Sequence, residues 1–142
     1  MIKWTTILAF IGIVILIGIL YGKRQSRQKK KKLEALLAGR EPLNDANFYE
    51  AYFKVLGVTP EIPSKVRKIF EETLDADFSK IKDTDDFSKE LAFFWATDSM
   101  ADVEIVIALE KEFGIKITDD EAQEMKTFRD VVLSINRKLK ER

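Results

Sequence analysis

The chain of 142 residues contains no cysteine and no histidine. The first absence excludes disulfides and thiolate nucleophiles. The second removes the commonest general base and the commonest metal ligand, so a Ser-His-Asp triad and a zinc site of the usual Cys/His kind are both excluded. Any reactive sulfur must arrive on a prosthetic group. Acidic residues are missing from one end as well. Residues 1–32 hold eight Lys/Arg and no Asp/Glu, whereas residues 61–136 hold nineteen Asp/Glu against ten Lys/Arg, a net charge of −9. The formal neutrality of the whole chain therefore conceals a basic end and an acidic body. Such asymmetry points to a membrane or nucleic-acid contact at the basic end. The acidic body argues against nucleic acid as its own ligand.

Charge is also absent from Trp4 to Tyr21, "WTTILAFIGIVILIGILY". These eighteen residues match the length needed to cross a hydrocarbon core of about 30 Å. An aromatic residue stands at each end, where the membrane interface favours it. Lys23, Arg24, Arg27 and Lys29 to Lys32 follow directly. By the positive-inside rule this flank stays cytoplasmic, which puts the N-terminus outside and the body in the cytosol. A cleaved signal peptide would place its basic residues before the apolar run and a small-residue cleavage site after it, and this stretch does neither. Residues 1–22 thus read as a retained single-pass anchor. Gly18 and Gly22 form a GxxxG pair at the very end of the span, a position that gives little support to helix pairing.

Residues 23–44 read as a basic linker, with Ser26 to Ala38 able to be helical. Residues 45–57 predict an accessory helix, capped by Asn44 or Asp45, apolar at Phe48, Tyr49, Tyr52, Phe53 and Leu56, and stopped by Gly57. Residues 61–136 predict four helices in one small bundle. The first opens near Pro63–Ser64 and buries Val66, Ile69, Phe70, Thr73 and Leu74 as one stripe. A long loop runs from Asp75 to Thr97. The second helix starts at Ser99 and ends near Phe113 before Gly114, with Val103, Val106, Leu109 and Ala108 inward. Thr118 or Asp119 caps a short third helix. Thr127 and Asp130 form a capping-box-like pair at the start of the fourth, whose Val131, Val132 and Ile135 face the core. The fold class is all-α: one N-terminal transmembrane helix, an accessory helix and a four-helix bundle.

Two candidate sites fail on chemistry. "DADFSKIKDTDD", Asp75 to Asp86, has the look of a calcium loop, with Asp75, Asp77, Ser79 and Asp83 at ligand positions. Its sixth position needs glycine and holds Lys80, and its twelfth needs a bidentate Glu and holds Asp86. Phe78 and Ile81 read there as apolar pins, and no metal site is expected. Asp102, Glu110 and Glu112 lie on the solvated side of an amphipathic helix, where nothing drives two pKa values apart as acid–base catalysis needs. Ser99 itself reads from local physics as a helix N-cap, with Asp102 three residues on as partner.

The stretch "DSMADVEIVIALEKEFGIKITDDEAQEM" resembles the acyl carrier protein family, with its D-S-L motif, its acidic helix V-E-L-V-x-A-L-E-x-x-F and its run G-I-x-I-x-D-E-x-A into a third helix. The resemblance continues upstream through "KVRKIFEETLDADFSKIKDTDDFSKEL" and downstream through "TFRDVV", covering residues 62–136, read as an acyl carrier-like domain. It implies that Ser99 accepts 4′-phosphopantetheine from coenzyme A through a magnesium-using phosphopantetheinyl transferase, flanked by Asp98 and Met100. The arm's thiol would carry an acyl group as a thioester. Asp102, Glu104 and Glu110 would form an acidic face for basic patches on partner enzymes, with Ile107 as an apolar contact within it. The protein would be a carrier and no enzyme, served by an acyl-loading enzyme and delivering to a membrane acyltransferase or lipid-assembly enzyme at the cytoplasmic face.

This chain departs from the family pattern at three places. Met100 stands for leucine, Ala101 stands where aspartate is expected, and six residues, "AFFWAT", separate Leu91 from Asp98 where the family has a short spacer. The insertion brings Phe93, Phe94 and Trp95 up to Ser99, as core filler, as a cover for an acyl chain or as a platform for a membrane partner. Two rivals remain beside the carrier: an unmodified membrane-tethered adaptor of the same fold, and a hydrolase using Ser99 with Lys111 as base, for which the chain offers no oxyanion site.

Overall fold

A computed structural model describes residues 3–96 and 100–142. Among the described residues every regular element is a helix, with no strand and one isolated bridge between Asp86 and Thr127. Helix α1 runs from Trp4 to Leu36 without a break, 33 residues or about 50 Å. Its apolar first half has no buried side chain and is long and apolar enough to span a membrane. The stretch read as a linker is therefore largely the same helix continued. Its end is docked: Leu33 and Leu37, one turn apart, are each only 3% exposed and belong to the bundle's core. The chain then turns at Gly39, whose φ of +80° suits a residue without Cβ.

Helix α2 (Asp45–Tyr52) is capped by Asn44, whose side-chain oxygen accepts the Asn47 N–H at 2.8 Å. Phe48 and Phe53 are fully buried. Phe48 meets Phe128 edge-on, with centroids 5.4 Å apart. Helix α3 (Glu61–Leu74) buries Val66 and Phe70, with Ile69, Thr73 and Leu74 half-buried beside them. Its Arg67 is buried too: it donates to the Leu43 carbonyl at 2.9 Å and to Asp45 at 2.6 Å, and its guanidinium lies over the Phe48 ring. One side chain thus ties α2 to α3. Its buried charge is tolerable because carbonyl, carboxylate and ring all receive it.

The segment after α3 is held by its acids. Asp83 pairs with Arg129, and Asp85 accepts two bonds from Arg40 at 2.6 and 3.1 Å while also taking the Lys82 N–H. Asp77 accepts the Ser79 N–H, and Asp75 faces Lys30. Phe78 and Ile81 are buried between them, as the apolar spacing predicts. Within the segment read as one long loop lies a single helical turn, α4 (Phe93–Ala96), with Phe94 wholly buried.

Helices α5 (Ala101–Phe113), α6 (Asp119–Glu124) and α7 (Phe128–Lys140) complete the bundle, with α3 packed on both α5 and α7. Capping boxes open α6, through Thr118 and Glu121, and α7, through Thr127 and Asp130. Val131, Val132 and Ile135 face the core as expected. The inward face of α5 differs from expectation. Ala101, Ile105, Leu109 and Phe113 are buried, Val106 and Ala108 are half-buried, and Val103 is 43% exposed.

Candidate functional site

The site lies at the junction of α4 and α5. Asp98 and Ser99, the predicted motif, fall outside the described residues; Ala96 and Met100 bound them on either side. The cap expected at Ser99 therefore lies outside them as well. Helix α5 begins at Ala101, and its cap position is Met100, one residue later than the cap expected at Ser99. Asp102 accordingly sits at the second helical position, where its carboxylate accepts the Val103 N–H at 2.8 Å. Asp102 and Glu104 both lie in the first turn, at the positive end of the helix dipole.

Three apolar side chains stand in solvent along one side of α5. Met100 is 56% exposed, Val103 43% and Ile107 46%. Their spacing of three and then four residues aligns them on one face. Asp102 and Glu104, both exposed, flank the stripe. Of the predicted partner residues, Asp102, Glu104 and Ile107 thus come together. Glu110 does a different job: it is half-buried, and its carboxylate accepts the Ile117 N–H at 2.9 Å, which secures the chain after the α5 stop at Gly114. Val103 is the member that periodicity missed. Residues 105–109 of α5 are apolar without a break, so no polar face fixes the phase of the helix. Only the burial of the small Ala101 does so. Lys111 lies eleven residues past Met100, roughly 16 Å along the axis, too far to serve as a base for chemistry at the helix start.

Beneath the first turn opens a cavity of about 420 Å³, within the size range of small-molecule sites. Phe70, Phe87, Val106, Leu109, Met125 and Val131 are among its apolar walls, Asp102 and Val103 reach it from the start of α5, and Asp119 and Gln123 of α6 add a polar margin. Trp95 of the inserted turn completes one side. Its indole N–H donates to the Phe87 carbonyl at 2.8 Å, so the polar edge is satisfied and the ring face lines the cavity. The insertion is thus divided in use: Phe94 fills the core and Trp95 walls the cavity. A helix start beside a mostly apolar cavity suits a phosphate-linked arm that carries an apolar chain, since helix N-termini favour anions and an apolar lining favours hydrocarbon.

Comparison with known proteins agrees. The family model for the phosphopantetheine attachment site matches residues 64–135. The chain is similar to the acyl carrier protein of Thermosynechococcus vestitus, 39% identical over 79 residues that cover 56% of this chain and 93% of that protein. It is 41% identical over 78 residues to the acyl carrier protein of Caulobacter vibrioides, covering 55% of this chain and 95% of that one. The acyl carrier protein of Rickettsia canadensis is 39% identical over 80 residues, covering 56% and 88%. With the family model spanning half of the chain and the relatives covered almost end to end, the chain belongs to the phosphopantetheine-bearing acyl carrier protein family, whose members are carriers and not enzymes.

Proposed function

We propose that Ser99 is the residue that bears 4′-phosphopantetheine, and that this carrier is anchored by α1 and delivers its acyl group to enzymes at the cytoplasmic face of a membrane. The observation that carries the proposal is the junction itself: the D-S-x motif directly precedes a helix whose first turn borders both an apolar cavity and an exposed apolar stripe. When bound, the group supplies a terminal thiol on which an acyl chain rides as a thioester. The chain's own residues do the rest. Asp98 and Met100 frame the attachment serine for the transferase. The start of α5 favours the negative phosphodiester. The cavity shields an acyl chain from water. Met100, Val103 and Ile107 offer an apolar contact inside the rim of Asp102 and Glu104, a pattern suited to brief, salt-sensitive docking on basic partner surfaces.

The 420 Å³ cavity and the matched motif favour this reading over an unmodified adaptor. Intact mass separates the two. After incubation with coenzyme A, magnesium and a broad-specificity transferase, the protein should gain one phosphopantetheine, and Ser99→Ala should gain none. An unmodified wild type would leave the adaptor. For the anchor, flotation with phospholipid vesicles should hold the full chain and lose a version lacking residues 1–32. Tethering would raise the effective concentration of the acyl donor beside a membrane acyltransferase or lipid-assembly enzyme without any new contact.

A further inference from the structure

The basic half of α1 has two faces. On one, Leu33 and Leu37 insert into the core, Lys29 donates to the Phe94 carbonyl at 3.3 Å, and the Lys32 ammonium stands 5.9 Å from the Phe93 ring centre. Lys30 pairs with Asp75 at 3.2 Å on the same side. On the other, Lys23, Arg27 and Lys31 stack at intervals of four with Arg24 beside them, all exposed. The helix between the span and the docked leucines is unbroken, and Gly22 is the only glycine near it.

We infer that α1 is a rigid strut, not a flexible leash: its inner face locks onto the inserted turn α4, and its outer cations meet anionic headgroups, so α4 and the bundle behind it are held at a set height above the membrane. This rests on the membrane reading of α1 given above. The geometry sets the height. Lys29 lies eight residues past Tyr21 and Leu33 twelve, about 12 and 18 Å along the helix. Headgroups occupy roughly the first 5–7 Å of that distance. The strut therefore brings α4 close above the headgroup layer. The partner this fits is an enzyme embedded in the same membrane with its reactive groups near that layer. A soluble enzyme approaching from bulk solvent would draw no benefit from a fixed height. The outer cations add attraction to an anionic leaflet.

The test uses the full chain, in which a single cysteine can be placed because it has none. A donor dye goes on Glu124→Cys, an exposed position on α6 away from the docked face. The protein is reconstituted into phosphatidylcholine–phosphatidylglycerol vesicles with headgroup-linked acceptors, and energy transfer is read as donor lifetime. Seven alanines inserted between Gly22 and Lys23 add nearly two helical turns, which preserves phase and should raise the donor by about 10 Å with an unchanged width of lifetimes. Seven alternating glycines and serines at the same point leave the bundle untouched and should broaden the lifetimes. A broad distribution in the unaltered chain, or no shift on alanine insertion in protein that floats with the vesicles, overturns the strut and leaves the anchor standing. Protein that does not float overturns both.

Discussion

The first half of α1 and the bundle are built from the same apolar residue types, yet their burial is opposite. From Trp4 to Tyr21 every side chain is exposed, among them Phe10, Ile15 and Leu16. In the bundle, Phe48, Phe53, Phe78, Phe94 and Phe128 are wholly enclosed. The difference lies in what surrounds each apolar run. In the bundle, acidic and basic residues alternate with the apolar ones, so folding can turn the latter inward and leave the former in water. The span has no polar face, and no fold of so small a domain could cover it. One region hides its apolar surface with its own chain; the other leaves it uncovered, along a helix long and apolar enough to cross a membrane.

That comparison can be broken most forcefully in the bundle. Phe94→Ala should cost about 3–5 kcal/mol of stability in detergent-solubilised protein, read by denaturant unfolding of the bundle, whereas Phe10→Ala should leave the same transition in place. Equal losses would mean that the span packs on the bundle. Arg67→Met should cost about 1–3 kcal/mol, because it takes the donor from the half-buried Leu43 carbonyl and removes the bond to Asp45, whose exposed carboxylate turns to water. Arg27→Met, on the outward face of α1, should leave the midpoint unchanged. Thr127→Ala removes half of the α7 capping box and should cost about 1 kcal/mol.

The smallest effect expected is that of acid. The Ser79 backbone N–H holds the Asp77 carboxyl below the ordinary carboxylate range, the Ser88 hydroxyl does the same for Asp86, and Lys138 does so for Glu121. A carboxylate with a depressed folded value contributes stability above its unfolded value and loses it as pH falls through the folded one. Glu71 works the other way: burial raises it, so its contribution is present at low pH and lost as pH climbs through its raised value. With three lowered and one raised, the bundle should weaken on acidification below the carboxylate range, modestly because these groups are partly or wholly exposed. Residues 1–32 hold no acid at all, so the helicity of the span should not change over the same titration. Circular dichroism of the full chain against a peptide of the span would check both.

What could be read in the sequence was what local chemistry decides. The charge-free run, the box at Thr127, the caps read at Thr118 or Asp119 and at Asn44 or Asp45, and the stripe on α3 all depend on residues within a turn or two of one another. The phase of α5 was hidden because Val103 and residues 105–109 present apolar side chains around nearly the whole helix, so that packing alone selects the inward side. The docking of α1 was hidden for a different reason. Leu33 and Leu37 sit in a charged stretch that looks solvated, and the contact they support joins Lys29 to Phe94, 65 residues apart. Arg67 and the Arg40–Asp85 pair are long-range in the same way. Of the site, the motif at Ser99 was visible only through family resemblance, whereas the cavity under the first turn of α5 required the meeting of α3, α5, α6 and α7.

Trp95 gives the molecule a light of its own. The chain has two tryptophans, Trp4 at the far end of the span and Trp95 on the cavity wall, half-buried beside Phe87. Replacing Trp4 with phenylalanine would leave a single indole emitting from the cavity. Its emission should shift to the blue and resist iodide quenching when hydrocarbon displaces water there, and return when the cavity empties. The residue that the insertion adds to the wall would report, in real time and without a label, whether the carrier is full.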